Sequence, residues 1–188
     1  MKDKEVEFQK VDFEIEGLSD ISLDPFQGHD STSSEQKLKS ISNDKGNLVI
    51  KRKNLLGFLV SSNSRASCAT TFEHKKGKSF SQEGKASIFF DDSEFELLDE
   101  NNKPIKAELS NKVQNEEIVM NNKNIRALKY VITIKKPWKL KSSLTLMENP
   151  SIKMDRLKNW FEMGGLVVAL GTLRPSNGRF LLSKWETK

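Results

Sequence analysis

One cysteine, Cys68, in 188 residues leaves no internal disulfide framework to build on and points to a reducing compartment. The two histidines, His29 and His74, stand far apart, so a Cys/His zinc site is not expected. No apolar run approaches the roughly 18 residues of a membrane-spanning helix. The opening stretch "MKDKEVEFQK" lacks the apolar centre of a signal peptide. These absences together predict a cytoplasmic protein with no membrane partner. Acids are missing from one long window: residues 118–147 hold seven Lys/Arg and no Asp or Glu, whereas residues 1–30 hold nine acids against three lysines. Local potential is what a polyanion meets, so this window weighs more than the formal net charge of +5.

What is present suits one α+β domain spanning 1–188. Apolar residues make up 36%, with eleven Phe and three Trp, enough for a modest core, and a charged fraction of 30% with both signs argues against wholesale disorder. In "VEFQKVDFEIEGL", Val11, Phe13 and Ile15 alternate with Asp12, Glu14 and Glu16, as in a half-buried strand closed by Gly17. Polar insertions are read at about 24–46, containing a short helix stopped by Asn43 to Gly46, and at about 99–122. Leu48 and Ile50 mark a short strand, and Leu55, Phe58 and Leu59 one face of a helix. Short strands follow at Ile88 to Phe90 and around Phe95 to Leu98.

The clearest alternation lies in "ALKYVITIK" and "LKSSLTLME", separated by "KKPWK". Pro137 cannot donate to a central ladder, so these segments read as an antiparallel hairpin with one apolar and one basic face. "NPSIKMDRLKNWFEMGG" reads as a helix, with Asn149 as cap, Pro150 at its first position and Gly164 or Gly165 as its stop. "LVVALG" then enters a strand, and "RFLLSKWE" is the last one. A helix after an antiparallel hairpin covers one sheet face, and a split β-α-β, ferredoxin-like sheet with helices on one face is the simplest closure.

The C-terminal third, "NPSIKMDRLKNWFEMGGLVVALGTLRPSNGRF", resembles the end of a family of phage-encoded proteins of unassigned activity. Gly164-Gly165, Gly171, Arg174-Pro175 and Gly178-Arg179-Phe180 carry the resemblance, and Ala169 stands where that family has a glycine. The pattern is similar to the repeat-associated RNA-binding superfamily of CRISPR complexes. The resemblance implies a ferredoxin-like fold with a C-terminal Gly/Arg/Pro loop, a phage or mobile-element origin and a host-cell cytoplasmic location.

Candidate binding residues fall into three groups. Arg126, Lys129, Lys135, Lys136, Lys139 and Lys141 surround Trp138, the mixture of cations and an aromatic that single-stranded nucleic acid favours; the alternative is a solvated, lysine-protected strand face. Arg174 and Arg179 flank a turn whose backbone N–H groups either cradle a phosphate or merely return the chain to the sheet. Lys51, Arg52 and Lys53 precede a helix and extend the same surface. The Gly-Lys-Ser/Thr ending of a phosphate-binding loop is missing, and no cofactor is expected. His74 has no orienting partner in the sequence, Cys68 reads as a small buried thiol, and Asp91, Asp92 and Glu94 read as a turn rather than a metal site. The expectation is a non-catalytic protein binding single-stranded RNA or DNA. The alternative is a protein-interaction module that inhibits a host defence complex, binds a host or phage protein, or assembles as a homo-oligomer.

Overall fold

The computed structural model describes residues 8–24, 34–61, 67–73, 78–122 and 125–188, with 78–80 and 119–129 described as backbone. Its element order is α+β. Strand β1 (Phe8–Gly17) lies between β8 (Lys139–Met147) and β9 (Phe180–Thr187), and β4 (Ile88–Phe90) pairs with the far side of β8. All three pairings are antiparallel, giving the order β4-β8-β1-β9. The predicted alternation sets the faces. Val11, Phe13 and Ile15 are at most 2% exposed and look inward, while the intervening acids look out. Full burial of such side chains is worth roughly 1.5–3 kcal/mol each.

Two helices cover the inner face. α2 (Arg52–Val60) contributes Leu55, Phe58, Leu59 and Val60, and α5 (Met154–Val167) contributes Leu157, Trp160 and Phe161. Phe161 lies 4.8 Å from Phe13, 6.0 Å from Phe58 and 5.5 Å from Trp185 between ring centroids, which joins both helices to the sheet. α3 (Cys68–Phe72), opened by a capping box between Ser67 and Thr70, and α4 (Lys78–Ser87) lead from α2 back to β4. One cluster of buried apolar side chains runs from Val11 to Phe180. Among the described residues no helix is long and apolar enough to cross a membrane.

The predicted hairpin does not form. β7 (Ile125–Ile134) belongs to a second sheet of order β2-β7-β6, with β2 (Ile21–Leu23) and β6 (Val113–Asn122), whereas β8 lies in the first. Each apolar strand face finds a better partner than the other: β7 pairs along its full length with β6, and β8 with β1. β6 comes out of the supposed polar insertion at 99–122. The link between the sheets carries a cis Lys136–Pro137 bond and ends on Trp138, which is fully buried. The Trp138 ring lies where a side chain on Gly17 would stand, and its indole N–H donates to the Ser19 carbonyl at 2.8 Å. A third, two-stranded sheet joins β3 (Val49–Lys51) to β5 (Glu94–Glu96), and α1 (Ser34–Ser40) lies inside the first insertion as read.

The last helix also differs from expectation. Asn149 does not cap it: its side-chain carbonyl accepts from the Ser151 and Ile152 amides, and the helix begins at Met154 behind Lys153. Gly164 and Gly165 do not stop it. They are interior positions where a side chain would strike Cys68 and Phe58, or the Phe180 backbone, so they serve close packing. The helix takes up Leu166 and Val167 from the expected strand and ends where Ala169 turns left-handed at φ 63°.

The C-terminal loop is strapped to the chain between β1 and β2. Gly178 donates to the Asp20 carbonyl at 2.6 Å, Thr172 to the Ser22 carbonyl at 2.7 Å, and the Arg179 amide to Ser19 Oγ at 3.0 Å. Gly178 has φ 80°, and a Cβ there would run into the Leu170 carbonyl. Gly178→Ala combines a left-handed backbone with a collision against backbone. It is expected to lower unfolding free energy by at least about 2 kcal/mol in urea denaturation.

Candidate anion-binding groove

The register of β1 disposes of most of the predicted basic surface. Glu16 stands opposite Lys139 and Glu14 opposite Lys141. Their charges meet at 2.9 Å and 3.1 Å. Lys10 pairs with Asp91 at 2.7 Å, Lys188 with Asp12, and Lys184 with Glu186 at 3.0 Å. Lys135 is held between Glu116 at 3.0 Å and Asp20 at 3.2 Å. The hydrogen bond to Glu116, then that to Asp20, raises its pKa, and the bond to Glu16 does the same for Lys139. The acidic N-terminal strand and part of the acid-free window therefore neutralise each other. Trp138, fully buried, offers no face for stacking. Lys136 remains exposed, its amide donating to Asp20 Oδ1. Arg126 and Lys129 occupy register positions on β7 opposite Asn121 and Ile118.

In the arginine-bearing turn, four of the amides, those of Thr172, Asn177, Gly178 and Arg179, are already committed within the protein. The Asn177 amide side chain donates to Ser22 Oγ at 2.7 Å. Ser22 Oγ lies 3.0 Å from Thr133 Oγ1, and Thr133 donates to Glu116 at 2.7 Å. Since the Thr133 proton is used on Glu116, Ser22 donates to Thr133, and the relay runs from the loop through β2 and β7 to β6. The Thr133 hydrogen bond is the main cause holding the Glu116 carboxyl below its ordinary pKa. Arg179 is exposed and folds back on the Pro175 carbonyl at 3.0 Å.

Parts of two of the three predicted groups do converge. The strap holds the loop beside the start of α2, and a groove opens between them. One lobe, about 270 Å³, is lined by Leu23, Asp24, Ser40, Lys51 and Thr172 among others. The second, about 280 Å³, is lined by Lys53, Asn54, Gly57, Ser61, Gly171 and Arg174. Lys53, Asn54 and Gly171 border both lobes. Among the described lining residues, three cations thus share the groove with one carboxylate, Asp24. Lys51 and Lys53 make no ion pair among the described residues, in contrast to the lysines of the sheet face. Arg174 is half-buried, and desolvation pulls its pKa down against the opposing effect of the nearby Cys68 thiol. Arg52 points elsewhere, donating to the Asp92 carbonyl at 3.0 Å. Gly57 carries no packing duty, since a Cβ there meets nothing within 4 Å.

His74 lies outside the described residues. Cys68 is buried, its thiol set against the Trp160 carbonyl at 3.4 Å, and burial pushes its pKa up, so it is a poor nucleophile. Asp91 belongs to Lys10. Among the described residues no group of three or more His, Cys, Asp or Glu side chains is placed to hold a metal ion. The groove's cations could be listed from sequence, but their convergence follows from the strap, which no local pattern announces. No protein-family model and no curated protein matches the chain.

Two outcomes follow. Gly57→Ala should raise stability by about 0.5–1 kcal/mol through helix propensity, measured in urea, because the position is open. Asp12, Asp91, Glu96 and Glu116 all have depressed pKa values in the fold. The unfolded chain therefore binds protons first as pH falls, and their contribution, present above the unfolded carboxyl range, is lost through the folded values. The unfolding midpoint should be flat from about pH 6 to 8 and fall below about pH 4.5, with a shallower fall in Glu116→Gln.

Proposed function

We propose that this protein binds single-stranded nucleic acid non-catalytically, holding phosphates in the groove between α2 and the C-terminal loop. The convergence of Lys51, Lys53 and Arg174 on one groove, in a molecule that pairs most lysines of its open sheet face with acids, carries the reading. Phosphate contacts supply the affinity of such proteins and make it fall with salt. Each lobe lies just under the roughly 300–1,000 Å³ of a small-molecule pocket, and a two-lobed channel suits successive units of a linear polyanion. The sheet order also supports a ferredoxin-like core. Taking β1, β4, β8 and β9 as first to fourth strands, with helices after the first and third, the order is second, third, first, fourth.

A second reading, a protein-interaction module, draws on α5. Met163, Leu166 and Val167, spaced as one helix face, are 45%, 37% and 47% exposed. Such a stripe suits a protein contact.

Fluorescence anisotropy with labelled oligonucleotides across salt separates the two. Three phosphate contacts at about 0.7 each predict a log-log slope near −2 for single strands. Lys53→Glu should lower affinity and flatten that slope, while Lys141→Ala, whose charge is already spent on Glu14, should leave both unchanged. Binding that ignores salt, or none at about 50 mM salt, would remove the nucleic-acid reading. A monomer-to-oligomer change in light scattering, lost in Leu166→Glu, would then favour the second.

A further inference from the structure

The sequence nominates Trp138 as the aromatic of the binding surface, and the fold buries it. The molecule exposes another aromatic. Its single tyrosine, Tyr130, lies on β7 and is 44% exposed. Its hydroxyl donates to Glu117 Oε2 at 2.7 Å, which fixes the ring from one end. The Lys37 ammonium of α1 lies 4.7 Å from the ring centroid. Lys37 makes no ion pair among the described residues.

Two elements tie this ring to the groove. Along α1, Ser40 lines the lobe that holds Lys51, three residues after Lys37 and so about 4.5 Å further along the helix axis. Along the second sheet, β2 pairs with β7 only from Ile21↔Ile134 to Leu23↔Ile132. Asp24, the next residue, lines the same lobe, at the end where β7 runs on through Val131 to Tyr130. Past that point, among the described residues, β6 and β7 continue as a two-stranded ribbon to Asn122↔Ile125. The ribbon positions 118–122 and 125–129 include Arg126 and Lys129 and no acid.

We propose that Tyr130 is the base-stacking platform of this interface, and that a single strand leaving the groove passes α1 and continues along the β6–β7 ribbon. The proposal rests on reading the groove as a nucleic-acid site. An exposed ring with an ammonium beside it suits unpaired bases, because the ring offers a π-surface for stacking and the ammonium takes the adjoining phosphate. The hydrogen bond to Glu117 raises the phenol's pKa further above its ordinary value.

The test compares two probes by anisotropy: an oligothymidylate of about 12 nucleotides, within the usual span of single-strand sites, and inorganic polyphosphate, which has charge but no bases. Tyr130→Ala should weaken oligothymidylate binding roughly 5- to 150-fold and leave polyphosphate binding unchanged. Tyr130→Phe, which keeps the ring and loses the bond to Glu117, should bind like the parent. If Tyr130→Ala binds oligothymidylate normally while Lys53→Glu does not, the interface ends at the groove and the stacking role is overturned. Equal loss for both probes also overturns it, because the residue then acts only through local structure. Failure of the parent protein to bind either probe would remove the groove reading as well.

Discussion

The pairing of β1 with β8 is the constraint on which the rest of the molecule depends. On its inner side it stands Phe13 against Phe161 and Trp185 and so seats α5. On its outer side it brings Glu14 and Glu16 onto Lys141 and Lys139. Exposed pairs of this kind add little to stability, so the apolar face drives the pairing. The charge row has a different effect: it removes a positive field that the composition alone would have placed on this face.

The second constraint is the strap between the C-terminal loop and residues 19–23. It brings together chain segments more than a hundred residues apart through main-chain bonds and the Asn177–Ser22–Thr133–Glu116 relay. Two glycines make the approach possible. Gly171 and Gly178 both have positive φ, and a side chain on either would meet backbone of Ser22 or Leu170. The consequence lies at the groove, because Arg174 faces Lys53 only while this loop is held down.

Much of the fold was legible as local pattern. The alternation of β1 and β8, the Leu55–Phe58–Leu59 helix face and the final strand are features of period and polarity, and these elements stand where they were read. The errors have one root, which is that partners are not local. β6 looked like surface because Glu116 and Glu117 meet their partners across the ladder, in Thr133, Lys135 and Tyr130. Gly164 and Gly165 looked like a helix stop because the sequence shows missing side chains without showing Cys68 or Phe180 in their place. The lysines of the acid-free window were correctly counted, and the acids that meet Lys139 and Lys141 were also in view, in β1. What was missing was the register that joins them. Trp138 had a trace in the sequence, since Gly17 at the end of β1 leaves room for its ring.

The alternating row on β1 also bears on how the chain avoids misassembly. Side chains on a strand change sides with every residue, so a shift of one position would turn Asp12, Glu14 and Glu16 toward Phe161 and expose Val11, Phe13 and Ile15 to water. Three buried carboxylates have no counterions there, and the cost rises with each. The alternation therefore excludes every alignment of this strand with β8 that is displaced by an odd number of positions.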